Sequence, residues 1–273
     1  YNIDINRYLP SRNAKTFKSL NLRKINMKFR PLRINPYINN LIVSPADGRL
    51  SAFHIDSNLK FSLGNIPHSL NEIVKTPFSL NEGSGFIVRV TPSDYQRVCM
   101  PYTGHLSEIG VFHPLNSPYY MCLKFESTYF MPLDVHEREY ISVIYGHNTN
   151  MARYFPELVD KQPRIKLIFY LVIIGNSSDD SVVLLNHKLI KLQKSIVPNT
   201  YLKIKNEVLF DQGEEIAGFN CTTGSNVLFI SNRLADFTAD IKYYSKLNKS
   251  LENKLDRKVE CYVQTKDAVG MLL

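Results

Sequence analysis

Tryptophan is absent from the 273 residues, and cysteine is scarce. The four cysteines are Cys99, Cys122, Cys221 and Cys261. They show neither the spacing of zinc ligands nor that of a disulfide framework, so we expect no metal site. Long apolar runs are also missing: the longest, Leu167–Gly175, is about half as long as a membrane-spanning helix and is interpreted as a buried strand. No signal-peptide pattern follows Tyr1, and we expect a cytoplasmic or peripheral-membrane protein without a transmembrane segment.

Acidic residues are nearly missing from the first 33 residues, which contain nine basic residues and one aspartate. The remaining 240 residues hold 24 basic and 24 acidic residues, so the net charge of +8 comes from this N-terminal stretch. We predict a basic arm over residues 1–40 and one domain over residues 41–273. An anionic phospholipid surface is the expected partner of the arm, although packing of the arm on its own domain is an equal alternative. The residues predicted to contact the membrane are Arg23, Lys24, Lys28, Arg30 and Arg33. Nucleic acid is not expected as a partner, because no recognised nucleic-acid-binding module accompanies the arm.

Branched and aromatic residues dominate the chain from Gly85 onwards and predict strands. The predicted strands are Phe86–Val90, Leu106–Phe112, Tyr119–Phe125, Tyr140–Tyr145, Ile165–Ile174, Val182–Leu185 and Lys258–Val263. Helices are predicted over Ile66–Val74, Met151–Glu157 and Lys242–Lys258, whereas Leu189–Lys205 is ambiguous. Because strands and helices do not alternate, the pattern predicts an α+β fold that is mainly antiparallel β.

The stretch Gly213–Phe229 combines an acidic turn, small hydroxyl residues and glycine before an apolar run. This order predicts a strand, a tight turn and a second strand. Hydroxyl groups beside glycine at a turn can be nucleophiles. They are more often turn residues that bond to their own backbone, and the stretch taken alone favours that interpretation.

Three segments, in order along the chain, resemble motifs of the phosphatidylserine decarboxylases. Val43–Gly48 contains a Pro-x-Asp-Gly sequence, and Thr91–Pro101 is similar to the family's Ser-Pro-x-Asp-Tyr-His-Arg-x-His-x-Pro. Gly213–Phe229 falls in step with Gly-Glu-Glu…Phe-x-x-Gly-Ser-Thr. Between them, His136 precedes a Glu-Arg pair that resembles the family's Asn-Glu-Arg. The resemblance implies a phosphatidylserine decarboxylase-like core with few short helices.

The resemblance also implies an activity. Members of the family are proenzymes that cut their own chain at a Gly-Ser bond, where an aspartate–histidine pair activates the serine. The new N-terminus becomes a pyruvoyl group, which forms a Schiff base with phosphatidylserine and accepts the charge left when carbon dioxide departs. Phosphatidylethanolamine is the product. Members are often dimeric, so pairing with itself or with an active homologue is expected.

Several residues differ from the family pattern at the positions that matter for this chemistry. Asp47 matches the aspartate, but Gln96 and Cys99 replace the two histidines of the second motif. Cysteine lacks the second nitrogen with which imidazole bridges an aspartate to a hydroxyl group. Thr222 and Thr223 occupy the Gly-Ser pair, and a β-branched Thr222 should resist the conformation that glycine tolerates there.

A register shifted by two residues offers Gly224 and Ser225 as an alternative cleavage pair, still without the histidine base. We therefore expect a protein that is not self-processing, is catalytically inactive, carries no cofactor and is retained for binding. The first alternative is an active, divergent decarboxylase with a pyruvoyl-type group. The second is a structural scaffold with a closed pocket.

Overall fold

The computed structural model describes residues 7, 9, 22–26, 28–29, 40–55, 60–63, 66–75, 83–113, 118–130, 164–176, 178, 180–220, 224–241 and 261–273. Strands predominate in this part of the chain. The first eight are β1 (Leu41–Val43), β2 (Gly48–His54), β3 (Lys60–Leu63), β4 (Ile66–Ser69), β5 (Ser84–Val90), β6 (Arg97–Cys99), β7 (Gly104–Phe112) and β8 (Tyr120–Phe130). The others are β9 (Arg164–Ile174), β10 (Val182–Leu184), β11 (Tyr201–Phe210), β12 (Glu215–Phe219), β13 (Ser225–Ser231), β14 (Ala235–Phe237), β15 (Cys261–Val263) and β16 (Ala268–Leu272). Two short helices lie wholly within the described residues, α1 (Leu70–Val74) and α2 (His187–Gln193), and residues 239–241 are helical as well.

An eight-stranded sheet forms the centre of the fold, in the order β11-β7-β8-β9-β13-β5-β2-β15. Every neighbouring pair in it is antiparallel. Two three-stranded sheets, β10-β12-β6 and β1-β16-β14, contribute to the hydrophobic cluster on one face. Helix α1 belongs to the cluster on the other face. The predicted α+β, mainly antiparallel fold is confirmed.

Strand β9 shows why the central strands are almost continuously apolar. Phe169, Leu171 and Ile173 point into the cluster shared with the two smaller sheets. Tyr170 and Val172, which alternate with them, point into the cluster shared with α1. Because successive side chains of a strand face opposite sides, burial of both faces requires an apolar residue at every position. The Leu167–Gly175 run is therefore a buried strand, as predicted.

The prediction of a helix over Ile66–Val74 is wrong for its first half. Residues 66–69 form β4, which pairs with β3, and the helix begins only at Leu70. Ser69 is the N-cap, and its hydroxyl accepts from the backbone N–H of Glu72 while the Glu72 carboxylate accepts from the N–H of Ser69. This reciprocal capping box fixes the start of the helix.

The ambiguous stretch Leu189–Lys205 contains most of α2 and the beginning of β11. The strands predicted near residues 86, 106, 119, 165 and 182 are present, with ends that differ by a few residues. Of the predicted strand Lys258–Val263, residues 261–263 form β15. The predictions for Tyr140–Tyr145, Met151–Glu157 and Lys242–Lys258 lie outside the described residues.

Candidate functional site

The three segments that carry the resemblance lie side by side in the fold. The backbone N–H of Cys99, on β6, donates to the carbonyl of Pro45 at 2.8 Å. Cys99 also lies opposite Glu215 in the antiparallel pairing of β6 with β12. The next residue, Met100, donates to the carbonyl of Glu214 at 2.9 Å. Backbone hydrogen bonds therefore join the second motif to both the first and the third.

Asp47 lies in the turn between β1 and β2 and is 2% exposed. Its Oδ1 accepts hydrogen bonds from the backbone N–H and the side-chain hydroxyl of Thr265, both at 2.8 Å. The following Gly48 has φ of +151°, and a Cβ there would lie 2.3 Å from the carbonyl oxygen of Arg89. The turn therefore requires glycine after the aspartate. Sequence reasoning did not anticipate Thr265, which lies 218 residues away.

Cys99 is a buried, protonated thiol. It is 1% exposed, and burial raises its pKa to about 12. The nearby charges of Lys266 and Glu215 act on this pKa in opposite directions, and Asp47 raises it further. Since the thiolate is the reactive form of cysteine, this raised pKa disfavours Cys99 as a nucleophile or as a proton acceptor near neutral pH.

Gln96, at the other histidine position, stabilises the turn that precedes β6. Its Nε2 donates to the carbonyls of Thr91 and Asp94, at 2.7 and 3.0 Å, and the residue is 2% exposed. The backbone carbonyl of Gln96 accepts a hydrogen bond from the backbone N–H of Phe219 on β12 at 2.8 Å. A buried amide that donates to backbone carbonyls satisfies polar groups of the fold, and these contacts are structural.

Arg97 and Glu215 form an ion pair between the second and third motifs. Nη1 of Arg97 lies 2.7 Å from Oε2 of Glu215, and both side chains are 17% exposed. The hydroxyl of Tyr95 donates to Oε1 of Glu215 at 2.9 Å. Burial, followed by the negative charge of Glu215, raises the pKa of Tyr95, so this hydroxyl keeps its proton. Both carboxylate oxygens of Glu215 are thus satisfied by protein donors.

Glu214 stabilises the turn that leads into β12 through side-chain hydrogen bonds. Oε1 accepts from Nδ2 of Asn186 at 2.7 Å and from Nζ of Lys188 at 3.3 Å, and Oε2 accepts from the backbone N–H of Asp211 at 3.0 Å. Burial alone would raise the pKa of Glu214, but these hydrogen bonds and the Lys188 charge hold it below its ordinary value. Gly213 has φ of +79°, a left-handed conformation that glycine adopts without strain.

Part of the predicted arm packs against this ion pair. The carbonyl of Leu22 accepts from Nε and Nη2 of Arg97, at 3.0 and 2.7 Å. The backbone N–H of Ile25 donates to the Tyr95 hydroxyl at 3.1 Å. Of the five residues predicted to contact a membrane, Arg23 is 6% exposed, whereas Lys24 and Lys28 are exposed. Arg30 and Arg33 lie outside the described residues.

The structure describes only one of the two predicted cleavage pairs. Gly224 precedes β13, and Ser225 begins that strand opposite Val90 and is 1% exposed. The hydroxyl-bearing residue of this pair therefore belongs to a buried strand and not to an open loop. The other pair, Thr222 and Thr223, lies outside the described residues, as does His136.

Several other histidines are distributed over the described part of the fold. His54 ends β2, so it lies about 20 Å along that strand from the Asp47 turn. His113 packs edge-on against Tyr119. His187, which sequence reasoning did not consider, begins α2 and lines a cavity together with Arg97 and Glu215. Among the described residues, no cluster of three or more histidine, cysteine or acidic residues has the geometry of a metal site.

The cavity has a volume of about 460 Å³ and lies between the arm and the β6–β12 pair. Basic side chains from three separate parts of the chain line it: Lys24, Arg97 and Lys266. Lys266 belongs to the turn between β15 and β16, and its backbone N–H donates to the carbonyl of Ser44 at 2.9 Å. Neither Lys266 nor His187 has a sequence signal, since only the tertiary fold brings them to the cavity.

Comparison with known proteins gives the same family as the motifs. A sequence model described as phosphatidylserine decarboxylase matches residues 17–249. The chain belongs to the phosphatidylserine decarboxylase family. This family is characterised by a pyruvoyl group that self-processing creates. In this member, Asp47 accepts a hydrogen bond from Thr265, and a buried cysteine, Cys99, stands at the position of the second histidine.

Individual relatives match limited parts of their own length. A phosphatidylserine decarboxylase proenzyme of Clostridium perfringens is 34% identical over 115 residues, which cover 40% of this chain and 37% of that relative. A proenzyme of the same name from Clostridium beijerinckii is 28% identical over 130 residues, or 40% of its length. The one from Alcanivorax borkumensis is 25% identical over 228 residues, which cover 79% of this chain and 67% of that relative. The match therefore spans less than half of the two clostridial relatives.

The helices of the described residues are short. None of them combines the length and the hydropathy needed to cross a lipid bilayer.

Proposed function

We propose that this chain is a phosphatidylserine decarboxylase-family protein that stays uncleaved, carries no pyruvoyl group and does not decarboxylate. It is retained for binding, with an anionic phospholipid surface as the favoured partner. The observation that carries the proposal is that a buried cysteine, Cys99, stands at the histidine position and is 1% exposed. Its pKa of about 12 leaves a neutral thiol, which gives a threonine or serine hydroxyl no base at physiological pH.

The surroundings of Asp47 support the same conclusion. In an aspartate–histidine pair, the carboxylate orients the imidazole and stabilises its charged form. Here Oδ1 of Asp47 accepts hydrogen bonds from the backbone N–H and the hydroxyl of Thr265, and a cysteine stands where the resemblance places the histidine. Ser225 supports it as well, because it is 1% exposed and its backbone is held in a strand by the pairing with Val90.

The mass of the purified chain tests the proposal. We expect one species with the full mass of 31.4 kDa after prolonged incubation at neutral pH. Two fragments separated between residues 222 and 225 would contradict it. The Clostridium perfringens relative that carries the proenzyme name, expressed and incubated in the same way, is the matched control.

Turnover separates this proposal from the active alternative. Release of carbon dioxide from phosphatidylserine, abolished by Thr223→Ala or Ser225→Ala, would establish a divergent decarboxylase. We expect no release from folded protein presented with phosphatidylserine vesicles. Mass and turnover are independent readings, so an uncleaved chain that released carbon dioxide would also count against the proposal.

Binding to an anionic phospholipid surface is proposed because the N-terminal arm is basic and because the chain belongs to the phosphatidylserine decarboxylase family. Lys24 and Lys28 are the exposed, described members of the predicted membrane-contacting set. Co-sedimentation with phosphatidylserine vesicles should therefore occur at low salt and weaken as salt is added, since exposed charges are screened over about 10 Å at 0.1 M. Lack of sedimentation at low salt would favour the scaffold alternative.

Pairing with a second copy or with an active homologue is proposed as well. Light scattering of the purified protein, and of its mixture with the homologue, measures the mass of the resulting complex.

A further inference from the structure

Helix α2 presents a basic side to solvent. His187, Ile190, Lys191 and Lys194 are exposed and follow one another at helical spacing, so they share one side of the helix. Leu189, on the opposite side, is buried in the hydrophobic cluster that the two smaller sheets share with the central sheet. The solvent-facing side of α2 is therefore free of any role in the core.

The lysines of this side lack acidic counterparts nearby in the chain. Residues 181–206 contain five lysines and neither aspartate nor glutamate. Within the described part of the chain, the side chains of Lys191 and Lys194 neither donate a hydrogen bond nor pair with a carboxylate. Lys188 differs from them, because its Nζ lies 3.3 Å from Oε1 of Glu214. Two exposed cations of the helix are thus available to a partner.

The stability of the helix does not account for this charge pattern. The first turn, where the helix dipole favours an acidic residue, contains none. Lys191 lies in the last turn, where the dipole favours a cation. It is also three residues from both Lys188 and Lys194, and like charges at that spacing destabilise a helix. A local pattern that does not serve the fold is expected where a surface has a function.

Exposed aliphatic side chains accompany the lysines. Ile190 is 43% exposed and Val197 is 63% exposed. Leu209, also 43% exposed, lies beside the start of the helix, because Nζ of Lys188 donates to the Leu209 carbonyl at 2.6 Å. Aliphatic residues with charged residues around them have the composition of a small protein interface with a polar rim.

These features favour a protein partner over other polyanions. A helix that binds a membrane inserts its apolar side, whereas the apolar side of α2 is packed in the core. Sequence-independent binding of single-stranded nucleic acid uses aromatic side chains, and the solvent-facing side of α2 has none besides His187. A second copy of the chain would bring the same lysines against one another, which is repulsive.

We propose that the solvent-facing side of α2, together with Val197 and Leu209, docks an acidic segment of a partner protein. Carboxylates of the partner pair with Lys191 and Lys194, and an aliphatic side chain between them contacts Ile190. Because the surface is small, the complex is weak and transient. The docking surface is separate from the question of self-processing and does not rest on it.

A fluorescently labelled peptide, Glu-Glu-Leu-Glu repeated three times, tests this surface by anisotropy at low salt. We expect the full chain to bind it, and the double variant Lys191→Glu, Lys194→Glu to bind it at least about tenfold more weakly. The double variant should instead bind the Lys-Lys-Leu-Lys counterpart. Lys75→Glu is the matched control, because Lys75 is an exposed lysine at the end of α1, on the other face of the central sheet. It should leave the affinity unchanged within about twofold.

Ile190→Ser separates docking from general charge attraction, because it leaves every charge in place. Loss of the aliphatic contact should weaken binding of the acidic peptide by about threefold or more. Equal affinity of wild type and Ile190→Ser would overturn the proposal, and so would equal affinity of wild type and the double variant.

Hydrogen–deuterium exchange locates the bound peptide on the chain. We expect slower exchange in residues 187–197 when the acidic peptide is bound, and protection confined to the basic arm would overturn the proposal. Protection of residues 187–197 by phosphatidylserine vesicles or by an oligonucleotide, without protection by the peptide, would assign the surface to those polyanions and overturn it as well. None of these results alters the mass test of self-processing.

Discussion

At the scale of single residues, burial decides what each of the three described cysteines can do. Cys99 and Cys122 are fully enclosed, and burial raises the pKa of each thiol to about 12. Cys261 is partly exposed, with a pKa raised by burial and by the charges of Asp240 and Asp267. Because the folded-state pKa of the two enclosed thiols exceeds the unfolded value of about 8.5, their contribution to stability is complete below that pH. It is lost as the pH rises towards 12.

This difference predicts the order in which thiols react. Iodoacetamide at pH 8 should modify Cys261 in the folded protein much faster than Cys99 or Cys122, because alkylation requires access and a thiolate. Peptide mass mapping over time measures the three rates. In concentrated urea the rates should converge, which provides the control. Labelling of Cys99 at the rate of Cys261 in the folded chain would remove the main support for an inert thiol at the histidine position.

At the scale of structural elements, Arg97 connects β6, β12 and the arm. It pairs with Glu215 on β12 and donates twice to the carbonyl of Leu22. Arg97→Met keeps an apolar stem of similar length but removes these contacts from a largely buried pair. We expect a loss of about 2 kcal/mol in the free energy of unfolding, measured by urea denaturation.

The same substitution should release the arm. Trypsin should then cut faster after Arg23 and Lys24, two positions whose neighbours Leu22 and Ile25 are held at Arg97 and Tyr95. Lys166→Met is the control, because the Lys166–Glu126 pair is 63% and 41% exposed. It should cost less than about 0.5 kcal/mol and leave the cleavage rate unchanged. Unchanged cleavage in Arg97→Met would show that the arm is held by other contacts.

Helices and strands could be predicted from the sequence where a local pattern of residues determines them. Branched and aromatic runs identified β5, β7, β8 and β9, and the apolar run around Phe169 identified a strand buried on both faces. The helix start at Leu70 was missed although Ser69 and Glu72 form the sequence pattern of a capping box. That error could have been avoided from the sequence, since cap and first turn are local.

The candidate site was predictable only in part, because its other members are set by tertiary contacts. The three family motifs lie side by side in the fold, since Cys99 bonds to the backbone of Pro45 and lies opposite Glu215. No local pattern marks Thr265 as the partner of a carboxylate 218 residues away. Charge alone also gives no sign that Arg23, within a basic arm, is buried.

At the scale of the whole molecule, the first strands of the described domain pair with its last strands. β1 pairs with β16, β2 pairs with β15, and Nδ2 of Asn40 donates to the carbonyl of Leu272 at 2.8 Å. The Asp47 carboxylate adds a further contact between these regions, because it accepts a hydrogen bond from the backbone N–H of Thr265. The aspartate of the first motif therefore has a structural role that does not depend on catalysis.

Thr265→Val tests this role, because valine keeps the shape of threonine but removes the hydroxyl donor to a buried carboxylate. We expect a loss of about 2 kcal/mol in the free energy of unfolding, the value of a hydrogen bond to a charged group. Thr265→Ser retains the hydroxyl and should lose less than half as much. Urea denaturation of the three proteins at pH 7 gives the comparison. If Thr265→Val were as stable as wild type, Asp47 would not hold the chain ends together, and its burial would need a different explanation, such as a surviving role in proton transfer.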